Sequence, residues 1–268
     1  MLREITLGQY YPVDSFIHRL DPRVKLAGTF LFLIALFVVN SWTMYGLLAL
    51  ILWGFILLSK VPFSFMVRGL KSVVFLLLLS VSFNLFLTPG EVILQLSFLK
   101  MTKEGLQVAS MMAFRLVMLV LSSSILTLTT TPNSLTDGME KGMGIFKLFH
   151  FPVHEIAMMM SIALRFIPIL VEETDKIMKA QMARGADFES GSIFDRAKAM
   201  VPILVPLFVS AFRRAYDLAM AMEARCYQGG EGRTKMKPLR YTGADYLSYL
   251  VLFLILGLAI GSRFISLP

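Results

Sequence analysis

The stretch KLAGTFLFLIALFVVN, from Lys25 to Asn40, carries no charged residue after its first position. Its length is close to what a helix needs to cross the hydrocarbon core of a bilayer. Four further apolar runs follow along the chain, at Thr43 to Leu58, Ser72 to Leu87, Leu106 to Thr130 and Ala244 to Ile260. The sequence therefore predicts about five transmembrane helices.

The composition of the whole chain also indicates a membrane protein. Hydrophobic residues make up 56% of the 268 positions and charged residues only 16%, and the mean hydropathy is +0.70. Soluble domains are more polar than this. The single cysteine, Cys226, excludes a disulfide framework and a thiolate metal cluster, so we expect no cofactor. The N-terminus lacks the apolar core and cleavage site of a signal peptide, and we expect the mature protein to begin at Met1.

The distribution of basic residues predicts the orientation of the chain. The net charge of +8 does not indicate a nucleic-acid partner, because the basic residues lie between apolar runs and form no soluble basic face. Lys and Arg near membrane spans favour the cytoplasmic side. With a cytoplasmic N-terminus, twenty-two of them lie inside and only Lys100, Lys103 and Arg263 lie outside, with Arg115 within a span. We therefore expect a multi-pass protein in the lipid bilayer with its N-terminus in the cytoplasm.

This topology leaves a long cytoplasmic insertion before the last span. The predicted parts are a cytoplasmic N-terminal segment (1–24), four transmembrane helices (25–130), the insertion (131–242) and the last transmembrane helix (243–268). Such an insertion is far longer than an ordinary loop, so we expect it to be structured and functional. Two apolar stretches within it, around His154 to Val171 and Ala197 to Phe212, contain prolines and continue into charged segments. We do not count them as spans.

Helical periodicity inside the insertion predicts two amphipathic helices. Apolar side chains recur every three or four positions from Leu170 to Met182 and from Ala211 to Met222, opposite charged residues. The segment GADFESGSIFD, Gly185 to Asp195, separates the two helices. The predicted fold class is therefore all-α: a polytopic membrane protein with about five transmembrane helices and a cytoplasmic helical insertion.

Both predicted helices end on the same small-Arg-small pattern, Ala183-Arg184-Gly185 and Ala224-Arg225-Cys226. A structural role explains either arginine singly, because a basic residue in the last turn offsets the helix dipole and a glycine there forms a left-handed cap. Two such ends in one insertion favour a second role. A guanidinium flanked by small residues is open to a partner, and its planar fork can bind a carboxylate or backbone carbonyls.

The chain contains no recognisable catalytic constellation. Its histidines, His18, His150 and His154, form no HExxH pair, and no GxSxG sequence is present. Neither glycine-rich segment, DGMEKGMGIFK (Asp137 to Lys147) nor YQGGEGRTKMK (Tyr227 to Lys237), matches the phosphate-binding GxxxxGK[ST] loop. We therefore do not expect the chain to be an enzyme or to hydrolyse ATP by itself.

Together these features resemble the transmembrane T component, EcfT, of energy-coupling factor transporters, a class of ABC-type micronutrient importers. That family is marked by two Ala-Arg-Gly-like motifs, which match the two patterns above, and by a beginning similar to SFIHRLDPRVKL (Ser15 to Leu26). The segment ALRFIPILVEETDKIMKAQMARG (Ala163 to Gly185) is similar as well. The likeness extends from about Gln9 to Gln228, and the last span is also in place. Cys226 departs from the glycine or alanine of the family.

The resemblance implies a mechanical role. Arg184 and Arg225 would each dock into one of two cytoplasmic ATP-binding cassette ATPases, which bind the ATP, with the flanking residues Ala183, Gly185, Ala224 and Cys226 as part of the contact. The two helices would cross near the membrane, and closing of the ATPase pair would shift both. The insertion would also hold an exchangeable substrate-binding membrane protein, the S component, which releases a vitamin or metal ion inside. The implied location is the cytoplasmic membrane of a prokaryote.

Other interpretations of the polar residues remain open at this point. In a self-contained secondary transporter or channel, Arg115 and the serines Ser122, Ser123 and Ser124 would line a path, because an ionisable side chain within a span is costly. Arg115 could instead pair with Asn84 or with backbone carbonyls. An intramembrane enzyme is a third interpretation, but it lacks a nucleophile and a base.

The segment HRLDPRVKL, His18 to Leu26, is interpreted as structural. Asp21 can cap a helix whose first residue is Pro22, and the basic residues around them suit the cytoplasmic face.

Overall fold

The computed structural model describes residues 10–96, 99–144, 152–188, 192–230, 236 and 238–265. Its helices are α1 Phe16–Arg19, α2 Pro22–Val38, α3 Trp42–Ser59, α4 Phe63–Leu87, α5 Lys103–Thr129, α6 Pro132–Gly142, α7 Val153–Ala183, α8 Ile193–Glu223 and α9 Gly243–Ile265. Two short strands, β1 Val92–Leu96 and β2 Leu99–Thr102, form an antiparallel hairpin between α4 and α5. The predicted class, an all-α polytopic membrane protein, is confirmed.

The helices able to cross a membrane differ in part from the predicted set. All five predicted runs are helical, in α2, α3, α4, α5 and α9. By length and composition, five of the described helices could each cross a bilayer: α3, α5, α7, α8 and α9. In contrast, α2 has only 17 residues, and α4 bends by 60° between Phe63–Lys71 and Val73–Leu87. α7 and α8 qualify because each continues as a helix through its internal prolines, Pro168, Pro202 and Pro206, which long apolar helices tolerate.

The chain folds into two compact units. Helices α1 to α6 and α9 form one unit, and α7 and α8 form the other. In the first unit, α4 packs along α5, and α2 packs against both α5 and α9. Its buried core is formed by apolar side chains from six helices, α1 to α5 and α9, including Phe32, Leu36, Tyr45, Leu48, Met118, Leu121, Ile255 and Ala259. Large apolar side chains on the outer faces stay exposed, as contact with lipid requires.

One carboxylate joins the beginnings of α2 and α9. Asp245 is 1% exposed and accepts hydrogen bonds from the backbone N–H of Asp21 at 2.8 Å and from the N–H and hydroxyl of Thr242, both at 2.7 Å. Asp21 in turn accepts from the N–H of Arg23 at 2.9 Å, and Pro22 is the first residue of α2. The predicted helix cap is therefore confirmed, and Asp245 extends it to the last helix.

The segment before α2 is held by His18. The Ser15 hydroxyl lies 2.7 Å from Nδ1 of His18, and Nε2 lies 3.0 Å from the carbonyl of Tyr11. We assign the neutral tautomer in which the hydroxyl donates to Nδ1 and Nε2–H donates to the carbonyl. Burial lowers the pKa of His18, which favours this neutral form. The ammonium of Lys25 donates to the carbonyls of His18 and Thr129, each at 3.0 Å, and so fastens this segment to the end of α5.

We expect Asp245→Asn to destabilise the first unit. The amide would place an NH₂ group or a weaker acceptor against the donors of Asp21 and Thr242, and leaving buried donors unpaired costs about 2–3 kcal/mol. The thermal unfolding midpoint of the purified protein in detergent should fall by several degrees. Asp14→Asn is the matched control, because Asp14 pairs with Arg19 at an exposed position and such pairs contribute little. An equal effect of the two variants would contradict the bridging role of Asp245.

Candidate functional site

α7 and α8 are two long helices of 31 residues each. α7 ends at Ala183, and α8 begins at Ile193 after a capping box. In this box the Ser192 hydroxyl accepts from the N–H of Asp195, and the Asp195 carboxylate accepts from the N–H of Ser192, both at 3.3 Å. The predicted break between the helices is confirmed. Each predicted amphipathic helix is the second half of a longer helix that begins in the preceding apolar stretch.

Polar contacts show that α7 and α8 run antiparallel. Arg214 on α8 donates to Glu173 on α7 at 2.8 Å, and the hydroxyl of Ser210 donates to the other carboxylate oxygen at 2.5 Å. Farther along α7, the amide of Gln181 donates to the carbonyl of Pro202 at 3.4 Å. Because positions later in α7 contact positions earlier in α8, the two C-terminal ends lie at opposite ends of the pair.

The predicted apolar face of the second helix, from Ala211 to Met222, lines a groove of about 310 Å³ against α7, where, among the described residues, only Leu170 of the first predicted face takes part. Its lining combines residues of both helices, including Ile162, Phe166, Leu170, Ala215, Leu218 and Met222. Apolar contacts along this groove and the Glu173–Arg214 ion pair together stabilise the pairing of α7 with α8.

The first arginine motif forms a Schellman cap at the end of α7. The N–H of Gly185 donates to the carbonyl of Met182, and the N–H of Ala186 donates to the carbonyl of Gln181, both at 3.0 Å. Gly185 has a φ of +87°, the left-handed conformation that this cap needs and that glycine adopts at no cost. The cap predicted at Gly185 is confirmed.

The second motif forms the same cap at the end of α8, although its third residue is not glycine. The N–H of Cys226 donates to the carbonyl of Glu223 at 2.8 Å, and the N–H of Tyr227 donates to the carbonyl of Met222 at 3.1 Å. Cys226 has a φ of 55°, which costs a residue with a β-carbon about 1 kcal/mol. The two arginines therefore stand at equivalent positions of two equivalent helix ends.

All six predicted site residues are exposed: Ala183, Arg184, Gly185, Ala224, Arg225 and Cys226. Among the described residues, neither guanidinium has a hydrogen bond or an ion pair. The helix carbonyls that an arginine would otherwise satisfy are taken by the backbone N–H groups of the caps. The structure does not bring the two arginines together. Met222 lies beside Ile162 in the groove, 22 residues before Arg184, so the two arginines are about 30 Å apart along the pair.

The chain after Arg225 turns back toward the beginning of α7. Gly229 has a φ of +93°, and a β-carbon on Gly230 would lie 2.3 Å from the imidazole ring of His154. Only glycine fits this approach without a shift of the ring. The end of α8 that carries Arg225 is thus fastened to α7 by residues that sequence reasoning did not select.

Three of the four polar residues of the alternative transport path, Arg115, Ser122 and Ser123, have structural partners. Arg115 donates to the Tyr45 hydroxyl and to the carbonyl of Val39, which agrees with the suggested pairing with carbonyls. Asn84 donates to the carbonyl of Ser80 on its own helix instead, so the suggested pairing with Asn84 is wrong. The hydroxyls of Ser122 and Ser123 likewise donate to carbonyls of α5 at 3.0 and 3.1 Å.

We expect Cys226→Gly to tighten the end of α8. Glycine removes the cost of the left-handed conformation, about 1 kcal/mol, which corresponds to about fivefold slower local opening. Hydrogen exchange of the Tyr227 amide, whose N–H closes the cap, measures this directly. Cys226→Ala is the control, because it removes the thiol but keeps the β-carbon and should leave the exchange rate unchanged. If alanine slowed exchange as much as glycine, backbone strain at Cys226 would not be the cause.

The comparison with known proteins covers nearly the whole chain. A family model described as "Cobalt transport protein" (CbiQ) matches residues 14–236. The energy-coupling factor transporter transmembrane protein EcfT of Thermosediminibacter oceani is 52% identical over 264 residues, 98% of this chain and 100% of the relative. This chain is also similar to two proteins of the same name. The one from Clostridium kluyveri is 51% identical over 265 residues, 98% of each chain. The one from Bacillus subtilis is 52% identical over 246 residues, 91% of this chain and 93% of the relative. The chain therefore belongs to the EcfT family of transmembrane components of energy-coupling factor transporters.

Proposed function

We propose that this chain couples two cytoplasmic ATP-binding cassette ATPases to a substrate-binding S component in the membrane, and that Arg184 and Arg225 are its contacts with the ATPases. One observation carries this proposal. Two exposed arginines without partners among the described residues stand in the same cap geometry at opposite ends of one antiparallel helix pair. The chain itself catalyses nothing, and ATP is bound by the partners.

The equivalence of the two ends favours two partners with similar binding grooves. Each end presents an arginine next to a left-handed residue, and on the helix before it two exposed alanines, Ala180 and Ala183 on α7 and Ala221 and Ala224 on α8. Small side chains let a partner approach the backbone closely while a guanidinium enters its surface. A separation of about 30 Å suits two separate folded partners better than two contacts on one small domain.

The second partner is the S component, and α8 offers a surface for it. Five large side chains lie on one face of α8 with exposed fractions from 50% to 72%: Val201, Val205, Phe208, Phe212 and Tyr216. Their spacing of three or four residues places them in a single stripe. An exposed apolar surface of this size is normally covered by lipid or by a protein partner. A partner protein that itself lies in the membrane suits this surface.

The orientation follows from the charges. The basic residues around α7 and α8 and before α2 favour the cytoplasmic side of the cell membrane. The arginine motifs then lie where ATP is available. The cargo is a vitamin or another micronutrient, recognised by the S component.

We expect Arg184→Ala and Arg225→Ala each to weaken coupling and the double variant to abolish ATP-driven uptake. Loss of one partner of a buried charged contact costs about 2–5 kcal/mol of binding free energy. The measurements are co-purification of the ATPases and substrate uptake into liposomes that contain the assembled complex. Lysine at these positions should restore little, because it keeps the charge but not the planar fork.

Arg213→Ala is the matched control for these variants, since Arg213 is an exposed arginine in the middle of α8. It should leave uptake and ATPase binding unchanged. Normal uptake by the double variant with its ATPases bound would contradict the proposal. Uptake by the chain alone, without ATPases, would instead support a secondary transporter.

We also expect the double variant Phe208→Ala and Phe212→Ala to lose the S component and keep the ATPases. These rings are 61% and 72% exposed, and truncating two aromatic anchors typically weakens an interface by at least about tenfold. The amount of S component that co-purifies with the complex measures this. Phe75→Ala is the control, because Phe75 on α4 is 77% exposed but lies in the other unit. If the α8 variant retained the S component, the stripe would be a lipid contact only.

A further inference from the structure

Arg115 carries a positive charge that no carboxylate among the described residues neutralises. Its Nε donates to the hydroxyl of Tyr45 at 2.9 Å. Its Nη2 donates to the same hydroxyl, to the carbonyl of Val39 at 3.1 Å and to Oδ1 of Asn40 at 3.4 Å. All these acceptors are neutral, and no ion pair of the described residues includes Arg115. Charged side chains at membrane depth normally pair with an opposite charge.

The guanidinium also has donors to spare. Its Nη1 makes no hydrogen bond to the described part of the chain. This nitrogen is accessible from outside and is not a buried atom without a partner. Nη1 is therefore open to the surroundings and offers two N–H groups. The rings of Phe37 and Tyr45 lie 5.5 and 5.8 Å from the guanidinium carbon and support the fork from the protein side.

The surroundings of Arg115 are typical of a membrane surface, although it is in the middle of α5. Its partners Val39 and Asn40 are in the turn between α2 and α3, and a backbone turn is not stable within the hydrocarbon. Trp42 follows this turn, is 46% exposed, and its ring lies 6.4 Å from that of Tyr45. Exposed Trp and Tyr side chains mark the headgroup region of a bilayer.

We propose that Arg115 binds a phosphate group through its free Nη1, and that the usual source of this group is the headgroup of a membrane phospholipid. Phosphate supplies the missing negative charge and an anionic oxygen that accepts a charge-assisted hydrogen bond from Nη1. The lipid then lies against Trp42 at the end of the bundle opposite to Asp245.

Titration of the full-length protein with phosphatidylglycerol, followed by native mass spectrometry, tests this site. Arg115→Gln should weaken the tightest lipid-binding event by about tenfold or more, because a charge-assisted hydrogen bond is lost. Lys103→Gln is the control, since Lys103 is an exposed basic residue on the same helix, and it should bind the lipid as the unaltered protein does. Diacylglycerol, which has no phosphate, should not occupy the site.

Three further results decide between explanations. Competition by millimolar inorganic phosphate would support the phosphate site and identify free phosphate as a source. Equal binding of phosphatidylglycerol by Arg115→Gln and the unaltered protein, or equal binding of diacylglycerol, would overturn the proposal. Tyr45→Phe removes the structural partner but keeps the guanidinium, so it should lower the unfolding midpoint and retain the lipid. If Tyr45→Phe lost the lipid as fully as Arg115→Gln, Arg115 would act only in folding.

Discussion

The bilayer provides no water for unpaired backbone groups, and this constraint shapes the whole molecule. Within a long helix the backbone N–H and C=O groups bond to one another, so the groups that still need partners are those at the helix ends. The chain satisfies them with a small number of side chains and turns. Asp245 serves two helix beginnings at once, and two Schellman caps close α7 and α8. The candidate residues of the two arginine motifs lie at helix ends as well, where both backbone and side chain are open to a partner.

Much of the fold follows from local sequence patterns, and the exceptions arise from contacts that no local pattern contains. The apolar runs, the cap at Asp21 and the left-handed Gly185 depend on neighbouring residues and were predicted. The bridge from Asp245 to Asp21 joins residues 224 positions apart, and the partner of Arg115 is 70 positions away. The number of possible spans agrees with the prediction, but the set differs, because α7 and α8 continue as helices through their prolines.

The sequence pattern selected the candidate site residues but did not give their arrangement. The repeated small-Arg-small pattern selected both arginines. Because Cys226 aligns with Gly185, the pattern also indicates a left-handed conformation at Cys226. The pattern says nothing of the direction in which the helices pack. That direction is set by Glu173, Ser210 and Arg214, and it places the arginines far apart. A shared cap with widely separated positions is the combination expected for a part that connects two similar partners.

The antiparallel packing of α7 and α8 also decides what motion the pair can transmit. Opposed displacements at right angles to the helix axes, applied at the two tips, form a couple, so they turn the pair about its centre and do not carry it sideways. The carboxylate of Glu173 and its partners on α8 lie away from the tips, near the pivot of such a rotation, where displacement is smallest. In the proposed coupling role, such a rotation would tilt the pair and swing the exposed face of α8 with it.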